Sequence, residues 1–183
     1  MRLSLLTYLS LPTYNIPRDI FFKYLVFKFT NFVCGTYNES WFVFTNCRLK
    51  AVGRDKVVFN MNGIILQPAY RIRLYYQIFK KASGYKPWVV NGSLDACRFV
   101  RNRYDAFGRV IYGLFKEFSN MNHTCPYMGQ QILKNFYLRY DRLLLPFPSG
   151  DYLLALRWHF DEKLQFDTNA SFSLVEDLVL AKS

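Results

Sequence analysis

Four cysteines, two histidines and a handful of hydroxyls and carboxylates are the residues with which this chain could do chemistry. Cys34, Cys47, Cys97 and Cys125 form no CxxC pair. Only His123 and His159 could join them around zinc, so the spacing argues against a structural metal. An even count fits cystines instead. Three pairings are possible, and Cys34 with Cys47 and Cys97 with Cys125 are favoured because each closes a short excursion. Four sequons accompany them, at Asn38, Asn91, Asn122 and Asn169. Any one recurs by chance, but four beside an even cysteine count point to an oxidising, secretory compartment and to a glycoprotein.

Catalysis finds little support. His159 falls on the polar side of a strand, and His123 sits beside a sequon and a cysteine. Ser149 lies in a Pro-Ser-Gly-Asp turn, and Asp161-Glu162 stand at a hairpin tip too exposed for tuned acid–base work. GxSxG, HExxH, Walker A and GxGxxG motifs do not occur in the sequence. The expectation is a protein that is not an enzyme and needs no cofactor.

The elements that must position any site read as strands. Of the 183 residues 51% are apolar and 19% aromatic, a loading that suits pleated, half-buried surfaces and excludes disorder. Strand text runs over residues 26–34, 41–49, 57–62, 72–79 and 88–97, then resumes at 132–140, 152–160 and 164–172. Ile72, Leu74, Tyr76 and Ile78 share one face, as do Tyr152, Leu154, Leu156, Trp158 and Phe160. Asp161-Glu162-Lys163 reads as a hairpin turn. Between Cys97 and Cys125 the period changes: Phe107, Val110, Ile111, Leu114 and Phe118 predict one helix over 105–119, covering an end of the sheets. Seven or eight strands and a single helix give an all-β, two-sheet sandwich. It occupies residues 26–180, preceded by 1–25 as a signal peptide or irregular extension. The run from Ile20 to Val26 is too short to span a bilayer.

A net charge of +11 comes from Lys and Arg spread along the chain. With no block of five like charges, a nucleic-acid partner is not favoured; a solvated basic surface is the plain reading, and acidic lipid headgroups or acidic glycans are the sharper ones.

Several stretches resemble a family of unknown function greatly expanded in flies and classed with the ML, or lipid-recognition, domain superfamily. They are Phe29-Thr30-Asn31-Phe32-Val33-Cys34, Cys47-Arg48-Leu49-Lys50-Ala51-Val52, Gly84-Tyr85-Lys86-Pro87-Trp88, Leu94-Asp95-Ala96-Cys97-Arg98-Phe99 and Ser119-Asn120-Met121-Asn122-His123-Thr124-Cys125-Pro126-Tyr127. The family is similar to the insect CheB proteins, which are linked to contact chemosensation. The resemblance implies an immunoglobulin-like sandwich with a hydrophobic slot between its sheets, and a role presenting a lipid, possible receptors included among its partners. It names no ligand residues.

Periodicity supplies them. Ile72, Leu74, Tyr76, Phe136, Leu138, Leu154, Leu156 and Trp158 are the expected lining, with Phe115 and Phe118 gating one end and Arg71 or Lys134 near the mouth. The expected function is a secreted carrier of a small hydrophobic molecule. Its rival is a secreted interaction or co-receptor protein whose core is filled.

Overall fold

The computed structural model describes residues 21–54, 56–143 and 147–180, with the side chains of 21–25 and 177–180 excepted. The expected leader thus falls, up to residue 20, outside the described residues. The strands are β1 Phe21–Thr36, β2 Phe42–Ala51, β3 Val57–Ala69, β4 Ile72–Ala82, β5 Gly84–Asp95, β6 Tyr127–Phe136, β7 Gly150–Phe160 and β8 Lys163–Leu180. Helices α1 Ala96–Asn102 and α2 Ala106–Phe115 lie between β5 and β6. All pairings are antiparallel. A five-stranded sheet runs β1-β8-β7-β4-β5 and a three-stranded sheet runs β2-β3-β6. With β1 set aside, seven strands remain in a Greek-key order like that of immunoglobulin domains. The difference is that β5, the counterpart of the fourth immunoglobulin strand, pairs with the sheet of the third.

Two matched irregularities shape the core. Phe27, Phe29, Phe32 and Cys34 stand at spacings of two, three and two, and so do Phe42, Phe44, Cys47 and Leu49. In a regular strand the three-residue step would turn the second half of each set outward. The register of β1 slips between Phe29 and Asn31, and that of β2 between Phe44 and Asn46. Each slip inserts one residue, restores the inward face, and leaves Val33 half exposed. The two slips also bring Cys34 and Cys47 together as a disulfide, with Cα atoms 6.4 Å apart. A third slip, at Asn135 with its positive φ of 54°, lets Leu133 and Phe136 of β6 share the inner face.

The helical segment is richer than the sequence predicted. Its main part agrees: α2 is capped by Asp105, which accepts a hydrogen bond from Gly108 N at 2.6 Å, and a short 3-10 turn carries it on to Phe118. Ahead of it, Ala96 and Cys97, expected to end the fifth strand, instead open α1. There Asp95 caps the helix by accepting from Arg98 N, and Arg103 ends it in the left-handed region at φ 50°. Seven residues are too few for an apolar period to show. Cys97 in α1 bonds to Cys125, just before β6, so the second disulfide closes the whole helical excursion.

Tyrosines pin two strand starts. The Tyr127 hydroxyl donates to His123 O, and the buried Tyr152 hydroxyl donates to Pro148 O, each four residues back, as tyrosine corners do. The Asp161-Glu162 turn joins β7 to β8 with both φ values positive, the signature of a tight primed hairpin.

Burial pushes the Tyr127 hydroxyl up to about 12. Burial, with Asp105 adding to it, does the same for Tyr76. A tyrosine raised above its unfolded value of about 10 contributes stability that is complete below that pH and lost as pH climbs through the folded value. Thermal melts should therefore hold steady up to about pH 9 and decline between about pH 10 and 12. In Tyr127→Phe the decline should be shallower. An unchanged alkaline slope in that variant would contradict this assignment.

Candidate functional site

The two sheets do not meet evenly. On one side β1 lies against β2, held by Cys34–Cys47. On the other side the edges β5 and β6 stand apart, and the excursion between them fills the gap. Phe107 of α2 packs on Tyr76 of β4 at 4.7 Å between ring centres, and Phe115 approaches Phe136 of β6 at 6.5 Å. Glycine permits the close approach: a Cβ on Gly108 would come within 2.8 Å of Leu94 and 2.9 Å of Phe99. The Tyr76 hydroxyl donates to Asp105 at 3.2 Å, tying the helix cap to the sheet, and Tyr112 donates to Met121 O. The helix is thus the third wall of the interior rather than a cover at one end.

Inside these walls lies a cavity of about 220 Å³. Its lining is almost wholly apolar and, among the described residues, includes no Asp, Glu, Lys, Arg or His. Nine of the ten expected residues line it: Ile72, Leu74, Tyr76, Phe115, Phe136, Leu138, Leu154, Leu156 and Trp158. Phe118 does not. It sits on the 3-10 turn behind Phe136, against Tyr137 and under Arg139. Leu138 lines the cavity from just beyond β6 rather than from within the strand.

Arg71 and Lys134 are exposed and outside the lining. Arg71 is paired with Asp161 at 3.1 Å. A smaller-walled surface depression holds Lys28, Lys56 and Tyr137 and shares Phe27 and Leu138 with the inner cavity, so those two side chains stand between the interior and the surface.

Sequence reasoning missed the inner face of the second sheet, where Phe42, Phe59, Met61 and Ile65 line the cavity, and the α1 residues Phe99 and Val100. The repeated two-three-two spacing was the available signal for Phe29, Phe32 and Phe42. It also missed Gln131, which is buried at 4% exposure on the inner face of β6.

The sequons lie away from this interior. Asn91 and Asn169 share one cross-strand row, through Gln77 and Ala155, on the outward face of the larger sheet. Asn91 and Asn122 are exposed, whereas Asn38 and Asn169 are half-buried. Among the described residues no cluster of His, Cys, Asp or Glu could hold a metal, and no helix is long and apolar enough to cross a membrane.

Residues 74–154 match the model of a family described as a protein of unknown function, DUF1091. That stretch runs from β4 into β7 and contains both helices, the Cys97–Cys125 bridge and all of β6. No curated protein matches the chain.

Proposed function

We propose that this chain is a secreted, non-enzymatic binding protein that holds a small hydrophobic molecule between its two sheets. The observation that carries the reading is the 220 Å³ apolar cavity at the centre of a disulfide-closed sandwich. An empty apolar void destabilises a fold by about 24 cal/mol per Å³, here about 5 kcal/mol, against a typical total stability of about 5–15 kcal/mol. A chain with so many Phe, Leu and Ile residues could narrow such a space with larger side chains. Keeping Ala170 on the wall instead leaves room for a guest. The resemblance to lipid-recognition sandwiches supports the same conclusion. Two disulfides and the surface sequons fit the secretory route. A chemosensory role would follow if the guest is an external cue passed to a membrane receptor.

The cavity is smaller than the roughly 300–1,000 Å³ usual for drug-sized ligands, which favours a short guest and keeps the filled-core alternative in play. Native mass spectrometry of protein secreted from eukaryotic cells separates the two. The expected result is a bound small molecule that Ala170→Leu excludes, while the variant, with three added carbons in the void at about 0.8 kcal/mol each, melts higher. Protein that emerges without a guest and ignores apolar probes would instead support a co-receptor or structural role.

A further inference from the structure

Pleating turns outward every second residue of β2, β3 and β6, away from the interior. The cations on that outer face are Arg48, Lys50 and Lys134. All three are exposed, and none forms an ion pair among the described residues. The three strands contain no Asp or Glu at all. The larger sheet differs, because Asp95, Asp151, Asp167 and Glu176 stand among its cations. Apolar side chains occupy the space between the three charges. Val43 lies opposite Ile64, Leu66 follows on the same face at 47% exposure, and Met128 of β6 is 60% exposed. None of the four sequons falls in these strands, whereas Asn91 and Asn169 mark the outward face of the larger sheet. Glycans there would hold that face off a surface and leave the smaller sheet bare.

We propose that the outward face of the smaller sheet docks on a membrane surface rich in anionic lipid. Arg48, Lys50 and Lys134 meet the phosphates, and Leu66 and Met128 enter the boundary between headgroups and acyl chains. A bilayer presents negative headgroups directly above hydrocarbon, which matches apolar residues set among charges of one sign. Each cation near such a surface favours binding about fivefold, so three together amount to about a hundredfold. A second copy of this chain is a poorer occupant, because two such faces would set three cations against three. An acidic polymer would satisfy the cations and leave Leu66 and Met128 in water. Docking uses the outside of a wall whose inside lines the cavity, and it stands whether or not a guest is held there.

The test sediments the full chain, both disulfides formed, with vesicles of phosphatidylcholine alone or of two parts phosphatidylcholine to one of phosphatidylserine. Binding to the anionic vesicles should be about a hundredfold tighter and should weaken as salt rises. The triple variant Arg48→Gln/Lys50→Gln/Lys134→Gln should lose most of that advantage. A matched control, Arg73→Gln/Lys86→Gln/Lys163→Gln, removes three exposed cations from the larger sheet and should lose no more than about twofold. Leu66→Ser/Met128→Ser should bind anionic vesicles about tenfold more weakly, with its salt dependence unchanged. Equal binding of the wild-type protein to both kinds of vesicle overturns the proposal, whether or not any variant folds. Equal losses in the two triple variants overturn the choice of face and assign binding to net charge alone. Undiminished binding by the Leu66/Met128 variant overturns the bilayer as occupant in favour of an acidic polymer.

Discussion

Replacing Phe59 with alanine is expected to lower stability by about 3–5 kcal/mol, and the melting temperature by about 10 °C. Phe59 is fully buried on the central strand of the smaller sheet, and its ring stacks on Phe32 at 3.6 Å between centres with the planes 16° apart. Phe29 and the rest of the aromatic cluster pack around that pair, so few side chains can collapse into the space left behind. Phe59 also lines the cavity, which gives the variant a second signature. The enlarged void should make the protein gain more stability from an added apolar guest than wild type does, because the guest now restores lost contacts. Chemical denaturation with and without n-octanol reads both quantities. A loss below about 1 kcal/mol, or no larger response to the guest, would show that Phe59 does not form a wall of the interior.

Replacing Cys97 and Cys125 together by serine is expected to cost about 3.6 kcal/mol, from the chain entropy of a bridge spanning 28 residues. Breaking Cys34–Cys47, which spans 13, should cost about 2.9 kcal/mol. The two losses differ in kind. Cys34–Cys47 fastens strands that already lie side by side, so its removal should lower stability and leave the cavity formed. Cys97–Cys125 holds the two ends of the helical wall together; once it is gone, Asp105, Tyr112 and its apolar face hold α2, and Asn120 still ties the turn after it to β6. Removal should therefore weaken apolar-probe binding at temperatures where the sheets remain folded. Calorimetric melting paired with probe titration checks this. Unaltered binding in the Cys97/Cys125 variant would mean that the helix is held by packing alone.

Both predictions concern the helical excursion and the aromatic core as a unit. In most sandwiches the inner faces interdigitate until no space remains. Here a helix replaces direct contact between β5 and β6, and a cylinder of side chains cannot match two splayed, twisted sheets as closely as a facing sheet can. The space left between them is apolar because both sheets and the helix present their core faces to it.

Much of this was legible in the chain. Two-residue alternation in 72–79 and 152–160 marked strands that the structure pairs directly, Ile72 with Phe160 and Tyr76 with Leu156. The 3.6-residue period placed α2, and short separation favoured the two disulfides that form. These features are local: each depends on residues within a few positions of one another, where backbone geometry alone dictates which side chains share a face. Other features were decided only by tertiary structure. Whether the two-three-two spacing of β1 and β2 meant broken strands or bulged ones depended on the strands they pair with, such as Thr168 opposite Cys34 and Met61 opposite Cys47. Phe118 and Leu138 carried the right periodicity, yet the turn after α2 and the bulge at Asn135 sent one behind the wall and the other onto it. Gln131 looked like any polar residue in an alternating strand. Its burial and its unpaired oxygen arise because the opposing sheet and the helix close over it, and that enclosure is a property of three surfaces at once.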